Sequence, residues 1–74
     1  MEKYNYTIIL ERERDGGYQA FCPALPGCHN QGDSYDEVMR NIEDAIKLYI
    51  ESLKDHQEPI PDEDITIKPL AVVV

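Results

Sequence analysis

Seventy-four residues make one small domain and no more, near the size at which a chain buries barely enough apolar surface to fold alone. Fifteen acidic against seven basic residues give a net charge of −8, which repels phosphate backbones and argues against direct nucleic-acid binding. Two cysteines are too few for a disulfide framework, no segment approaches the ~20 apolar residues of a membrane span, and the short run Tyr6-Thr7-Ile8-Ile9-Leu10 is no signal sequence, so a cytoplasmic protein is expected.

In chain order, Tyr4, Tyr6, Ile8 and Leu10 alternate with Asn5, Thr7 and Ile9, the period of two of a half-buried strand. Alternating charge from Glu11 to Arg14 carries this strand away from the core, and Asp15-Gly16-Gly17 supplies the positive-φ residues of a tight hairpin. Residues 18–22 return as a second, antiparallel strand. Pro23-Ala24-Leu25-Pro26-Gly27 forms a loop of fixed shape, which directs residues 28–32 into a short third strand beside the second.

Ser34-Tyr35-Asp36-Glu37 reads as a capping box in which Ser34 and Glu37 satisfy orphan backbone donors reciprocally. Behind it Val38, Ile42, Ala45, Ile46, Tyr49 and Leu53 recur at threes and fours, an apolar stripe that Met39 and Ile50 widen beyond what one sheet face requires. Asp36 with Arg40 and Glu43 with Lys47 are i,i+4 ion pairs. Glu58-Pro59-Ile60-Pro61-Asp62 ends the helix in a stiff connector. Ile65-Thr66-Ile67-Lys68 then alternates, Pro69 interrupts, and Leu70, Val72 and Val74 resume in the other phase. That pattern predicts a fourth strand with an irregular step at Lys68-Pro69, confined to an edge by its proline. The fold class is therefore α+β, a two-layer β-β-β-α-β unit. It comprises a three-stranded antiparallel meander, one long helix on one face, and a fourth edge strand beside the first in spatial order 3-2-1-4. This is the first half of a ribonuclease H fold.

Chemistry-bearing groups are sparse. Cys22 and Cys28 with His29 have a C-x₅-C spacing broken by prolines, unlike structural zinc sites, and read as small apolar residues seating the loop. Glu11 and Glu13 on the first strand, Glu37, Glu43 and Asp44 on the helix, and Asp62, Glu63 and Asp64 beyond it are the carboxylates a two-metal nuclease would draw upon. Arg12 and Arg14 interleave the strand pair, and the predicted core positions hold no carboxylate, so a solvated surface is expected. Neither histidine has the partners of a catalytic triad, and Asp15-Gly16-Gly17 matches no phosphate-binding loop. The five tyrosines, Tyr4, Tyr6, Tyr18, Tyr35 and Tyr49, finish core edges or protein interfaces on so acidic a chain. No catalytic residue, metal ligand or cofactor is expected.

Asp15-Gly16-Gly17-Tyr18, Pro23-Ala24-Leu25-Pro26-Gly27-Cys28, Gln31-Gly32-Asp33-Ser34, Asn41-Ile42, Ala45-Ile46 and Pro59-Ile60-Pro61 together resemble the N-terminal domain of HicB-type antitoxins. The resemblance spans nearly the whole chain and implies a partial ribonuclease H-like fold with no enzymatic activity. It also implies a partner, a small basic HicA-like toxin that cleaves mRNA and whose catalytic surface the antitoxin covers. Many such antitoxins carry a C-terminal DNA-binding domain; residues 1–74 are expected to form a single HicB-like domain without one. Gly17, Pro23, Leu25, Pro26, Gly27, Cys28, Gly32 and Ser34, which carry the motif, have mainly structural tasks: turns at Gly17 and Gly32, loop shape, and a helix cap. The residues that would meet a toxin are not assigned by the motif.

Tyr49, Ile50, Leu53, Leu70 and Val72 offer more apolar surface than one helix on four strands can hide, which predicts a homodimer or homotetramer. Two alternatives remain open: a stand-alone oligomeric binding protein of the same fold with no cognate toxin, and a residual metal-dependent nuclease.

Overall fold

The computed structural model describes residues 2–74. Three strands, β1 (Ile9–Arg12), β2 (Tyr18–Phe21) and β3 (His29–Gly32), form an antiparallel meander in spatial order β1-β2-β3, and one helix, α1 (Tyr35–Asp55), lies across it. Ile9 stands opposite Phe21 and Arg12 opposite Tyr18; Tyr18 in turn stands opposite Gly32 and Phe21 opposite His29. This is the predicted meander with its helix.

The first ladder is shorter than the alternation from Tyr4 suggests. Its register would set Thr7 against Pro23, which has no N–H to donate and leads into the loop, so pairing stops at Ile9. Gly16 (φ 97°) makes the hairpin turn and Gly27 (φ 80°) closes the loop, both in the left-handed region that favours glycine. Gly17 and Gly32, expected to permit turns, have no such φ. Gly32 instead lies where α1 crosses β3, against the backbone of Val38.

Ser34 caps α1 by accepting the Glu37 amide at 3.1 Å. The return bond of the capping box falls one residue early: the Glu37 carboxylate accepts from the Asp33 amide at 3.4 Å, and not from that of Ser34. At the other end Gln57 adopts φ 56° and Glu58 donates to the Leu53 carbonyl at 2.8 Å, satisfying an orphan acceptor. Two asparagines tie α1 to β3. Asn30 Nδ2 donates to the Asn41 carbonyl (3.3 Å), and Asn41 Nδ2 donates to the Gln31 carbonyl (2.9 Å).

The core between helix and sheet consists of Ala20, Cys22, Leu25, Cys28, Val38 and Ile42, all buried. The loop joining β2 to β3 is part of it: Leu25 is fully buried, and Cys22 donates its amide to the Cys28 carbonyl at 3.0 Å. Tyr49 reaches over from α1 to donate its hydroxyl to the Pro26 carbonyl at 2.9 Å.

One predicted element is corrected. No strand follows the helix among the described residues, and the expected fourth edge strand is absent. The chain does return to the predicted place, because the Tyr6 hydroxyl donates to the Pro61 carbonyl at 2.7 Å and Thr7 binds the Glu63 carboxylate through its amide and hydroxyl. Beyond that point it runs free of the sheet, with Leu70 82% and Val72 71% exposed. Pro59, Pro61 and Pro69 remove three donors from this segment, and β1, only four residues long, offers a short edge to pair with.

Candidate interaction surface

Two of the concave surfaces beside the sheet lie where a partner could dock. The first is a polar cleft of about 470 Å³ where the β1–β2 hairpin meets the start of α1. Glu13 and Asp15 enter it from the hairpin, Asp33 and Glu37 from the helix entry, and Tyr18 and Gly32 help form its floor. The hairpin side is fixed locally: the Glu13 amide donates to the Gly17 carbonyl at 2.8 Å, and the Gly17 amide to Asp15 Oδ1 at 3.4 Å. The helix side is fixed by the close approach at Gly32, which sets the capped first turn against the hairpin tip. Four carboxylates thus face one cleft. Chemically they are acceptors for arginine and lysine side chains, and the acidity of the whole chain extends their field.

The second surface is a groove of about 540 Å³ between residues 2–8 and α1. Helix contacts concentrate on β3 and β2; ahead of β1, Tyr6 and Ile8 are half-buried against the core, and Tyr4 is exposed. Tyr4, Tyr6 and Ile8 line one wall, Met39, Ile46 and Ile50 the other. At one end Lys54 Nζ lies 2.6 Å from Glu2 and 6.0 Å from the Tyr4 ring centre, and the Tyr4 hydroxyl donates to Glu2. The hydrogen bond from Lys54 holds the Glu2 carboxyl below the usual range, and the bond to Glu2 raises the Tyr4 hydroxyl. The Tyr4 and Tyr6 rings stack nearly parallel, 6.4 Å apart. Burial raises the Tyr6 hydroxyl.

The residues singled out by sequence separate into groups. Leu25, Cys28 and Ser34 are core or cap; Pro23, Pro26 and Gly27 are exposed loop positions around them. Gly17 and Gly32 line the acidic cleft. Of the self-association set, Ile50 is buried at the groove, Tyr49 is committed to Pro26, Leu53 is half-buried, and only Leu70 and Val72 stand out in solvent. Leu48, 67% exposed and off the stripe, was not signalled by periodicity. Cys22 and Cys28 are free and buried, and burial raises both thiols, as suits seats for the loop. Among the described residues no three His, Cys, Asp or Glu side chains are grouped to hold a metal ion. Glu11 remains on the exposed strand, apart from Glu13, which faces the cleft.

The cleft was the part least legible in sequence, since Glu13, Asp15, Asp33 and Glu37 each look like ordinary surface. The pairing of Tyr18 with Gly32 is what joins them, by carrying Asp15-Gly16-Gly17 and Asp33 to the same end of the sheet. Both are fragments of the motif described above.

The family model described as HicB_like antitoxin of bacterial toxin-antitoxin system matches residues 6–71. The chain belongs to the HicB-like antitoxin family. A UPF0150 protein of Synechocystis sp. is 58% identical over 71 residues, covering 96% of this chain and 90% of that one. A UPF0150 protein of Thermoplasma acidophilum is 49% identical over 65 residues, covering 84% and 94%. Among solved structures, the N-terminal domain of the Burkholderia pseudomallei antitoxin HicB matches with a TM-score of 0.65 at 26% identity, over 84% of this chain and 69% of that one. The α+β meander with its single helix is therefore the HicB N-terminal fold. Among the described residues of this HicB-like chain, no helix is long and apolar enough to cross a membrane.

Proposed function

We propose that this HicB-like chain is a non-enzymatic cytoplasmic protein, residues 1–74 acting as one domain, that neutralises a small basic mRNA-cleaving toxin of the HicA type. Neutralisation is by occlusion: the antitoxin occupies the cationic surface on which RNA phosphates would otherwise lie. The observation that carries this reading is the cleft lined by Glu13, Asp15, Asp33 and Glu37 on a chain of net charge −8, within a family of antitoxins. Carboxylates along one cleft accept charge-assisted hydrogen bonds from the arginines and lysines that a toxin uses to hold RNA, and the overall field speeds the encounter. The same field keeps RNA away from the antitoxin itself.

Co-expression tests it. When a small basic toxin of the HicA type arrests growth, this chain is expected to restore it, and the doubly altered D15N/D33N protein, still folded, to restore it less well. Growth that stays arrested in the presence of the folded wild-type chain overturns the reading.

A second reading, a stand-alone oligomeric binding protein of the same fold, is favoured by the exposed apolar residues Leu70 and Val72 and by the uncovered groove. The toxin experiment separates the two.

A further inference from the structure

Cys22 and Cys28 stand at the two ends of the loop between β2 and β3. Phe21 lies opposite His29 in the sheet, so one register step further on Cys22 lies opposite Cys28, and the bond from the Cys22 amide to the Cys28 carbonyl, 3.0 Å, continues the ladder to that pair. Residues opposite one another on antiparallel strands point to the same face. Both side chains accordingly turn inward, 2% and 6% exposed, into one core cluster that also holds Leu25. We propose that Cys22 and Cys28 form a reversible dithiol–disulfide latch, closing residues 22–28 into a covalent ring. The latch belongs to the folded chain itself and stands whether or not a toxin partner exists.

Spacing permits the bridge. Opposed, hydrogen-bonded residues of an antiparallel pair have Cα atoms about 5.5 Å apart, inside the roughly 4.4–6.8 Å range of disulfides. Their Cβ atoms stand about 4.5–5.5 Å apart, whereas a disulfide holds them at about 3.5–4.5 Å. The pair therefore closes by an approach of about 1 Å, and a bridge strained in this way is readily reduced. In a reducing compartment the resting form is the dithiol, and the bridge forms when the glutathione pool becomes oxidised. The loop brings its ends together without the bridge. The Leu25 amide donates to the Cys22 carbonyl at 3.1 Å and the Cys28 amide to the Leu25 carbonyl at 2.9 Å, while the Tyr49 hydroxyl holds Pro26. Two thiols held this way meet with little further loss of chain freedom.

The oxidant is a small disulfide of the glutathione class. One cysteine thiolate attacks it, releasing one glutathione and leaving a mixed disulfide. The second cysteine thiolate then attacks the protein sulfur of that mixed disulfide and displaces the other glutathione. Two electrons pass from the cysteine pair to the oxidant, and both thiol protons end on the two glutathione thiols. Burial raises both thiols, and a Cys22 thiolate raises Cys28 further, so closure waits on opening of the loop and is slow at neutral pH.

Equilibration of the wild-type protein with a series of reduced and oxidised glutathione mixtures tests the latch, with thiols counted by alkylation and mass. The folded chain is expected to lose both thiols together, giving a product lighter by two hydrogens and of single-chain size on non-reducing gels. A bridge that stabilises the fold is stabilised by the fold to the same extent. The bridging equilibrium constant of the folded chain is therefore expected to exceed that of the same chain in urea by about tenfold or more, and amide exchange at Leu25 and Cys28 to slow by a similar factor. Cys28→Ala protein is expected to keep its remaining thiol or carry one glutathione, with no slowing of exchange at Leu25. Three results would each overturn the latch: a folded chain that keeps both thiols where the unfolded chain is bridged, a reaction that stops at glutathione adducts or links two copies, or equal equilibrium constants in the two states.

Discussion

Gly32 and Val38 touch backbone to backbone: a Cβ built on Gly32 would stand 2.7 Å from the Val38 amide nitrogen and 2.9 Å from its Cα. Neither is the end of a flexible side chain, so an added methyl group must push the first turn of α1 off β3. Gly32→Ala is expected to cost about 1–3 kcal/mol or more, a fall in melting temperature of roughly 4–8 °C per kcal/mol in a domain of this size, read by circular dichroism. Because the same contact sets Asp33 and Glu37 against the hairpin, the variant should also bind a basic partner less well.

How far the sequence discloses this molecule follows from which interactions are local. The cap at Ser34, the stripe beginning at Val38 and the turn at Gly16 are settled within a few residues, and all are formed as the pattern predicts. The β1 ladder is not local: its length depends on which residue lies opposite Thr7, and that is Pro23. The fourth strand fails for a related reason, since alternation at Ile65, Ile67, Leu70 and Val72 describes a strand's side chains but cannot supply an edge to bond with. The acidic cleft and the Asn30–Asn41 tie rest on contacts between distant parts of the chain, for which periodicity has no signal.

Loss of the helix cap is a smaller change with a defined control. Ser34→Ala leaves the Glu37 amide without its 3.1 Å acceptor and is expected to cost about 1 kcal/mol. Ser34→Asp, which retains an acceptor at the positive end of the helix, should recover most of it. Urea denaturation of the three proteins measures both effects.

Two leucines differ in what they hold up. Leu25 is fully buried inside the loop between β2 and β3, and Leu25→Ala is expected to cost about 2–5 kcal/mol. Total stability for a domain of this length is about 4–11 kcal/mol, so this one substitution consumes much of it. Leu70, 82% exposed, should change the unfolding free energy of a single copy by no more than about 0.5 kcal/mol when replaced by alanine. Urea denaturation of the two variants beside the wild-type protein makes the comparison.

Alkali should weaken the fold. Burial raises Cys22, Cys28 and Tyr6, so the folded state retains protons that the unfolded chain releases. Their stabilising contribution is complete below the ordinary thiol range, near pH 8.5, and is lost as pH climbs through the raised values. Stability measured by denaturant titration should fall above about pH 8.5, and Cys22→Ala should make that fall less steep.

In the proposed mechanism this acidic unit works by covering another molecule's cationic surface. Its most direct measurement is a titration of the purified chain into a small basic RNA-cleaving protein of the HicA type, following cleavage of a labelled RNA. Cleavage is expected to stop near equimolar chain, and added salt to slow the onset of inhibition. Undiminished cleavage at saturating chain would contradict it.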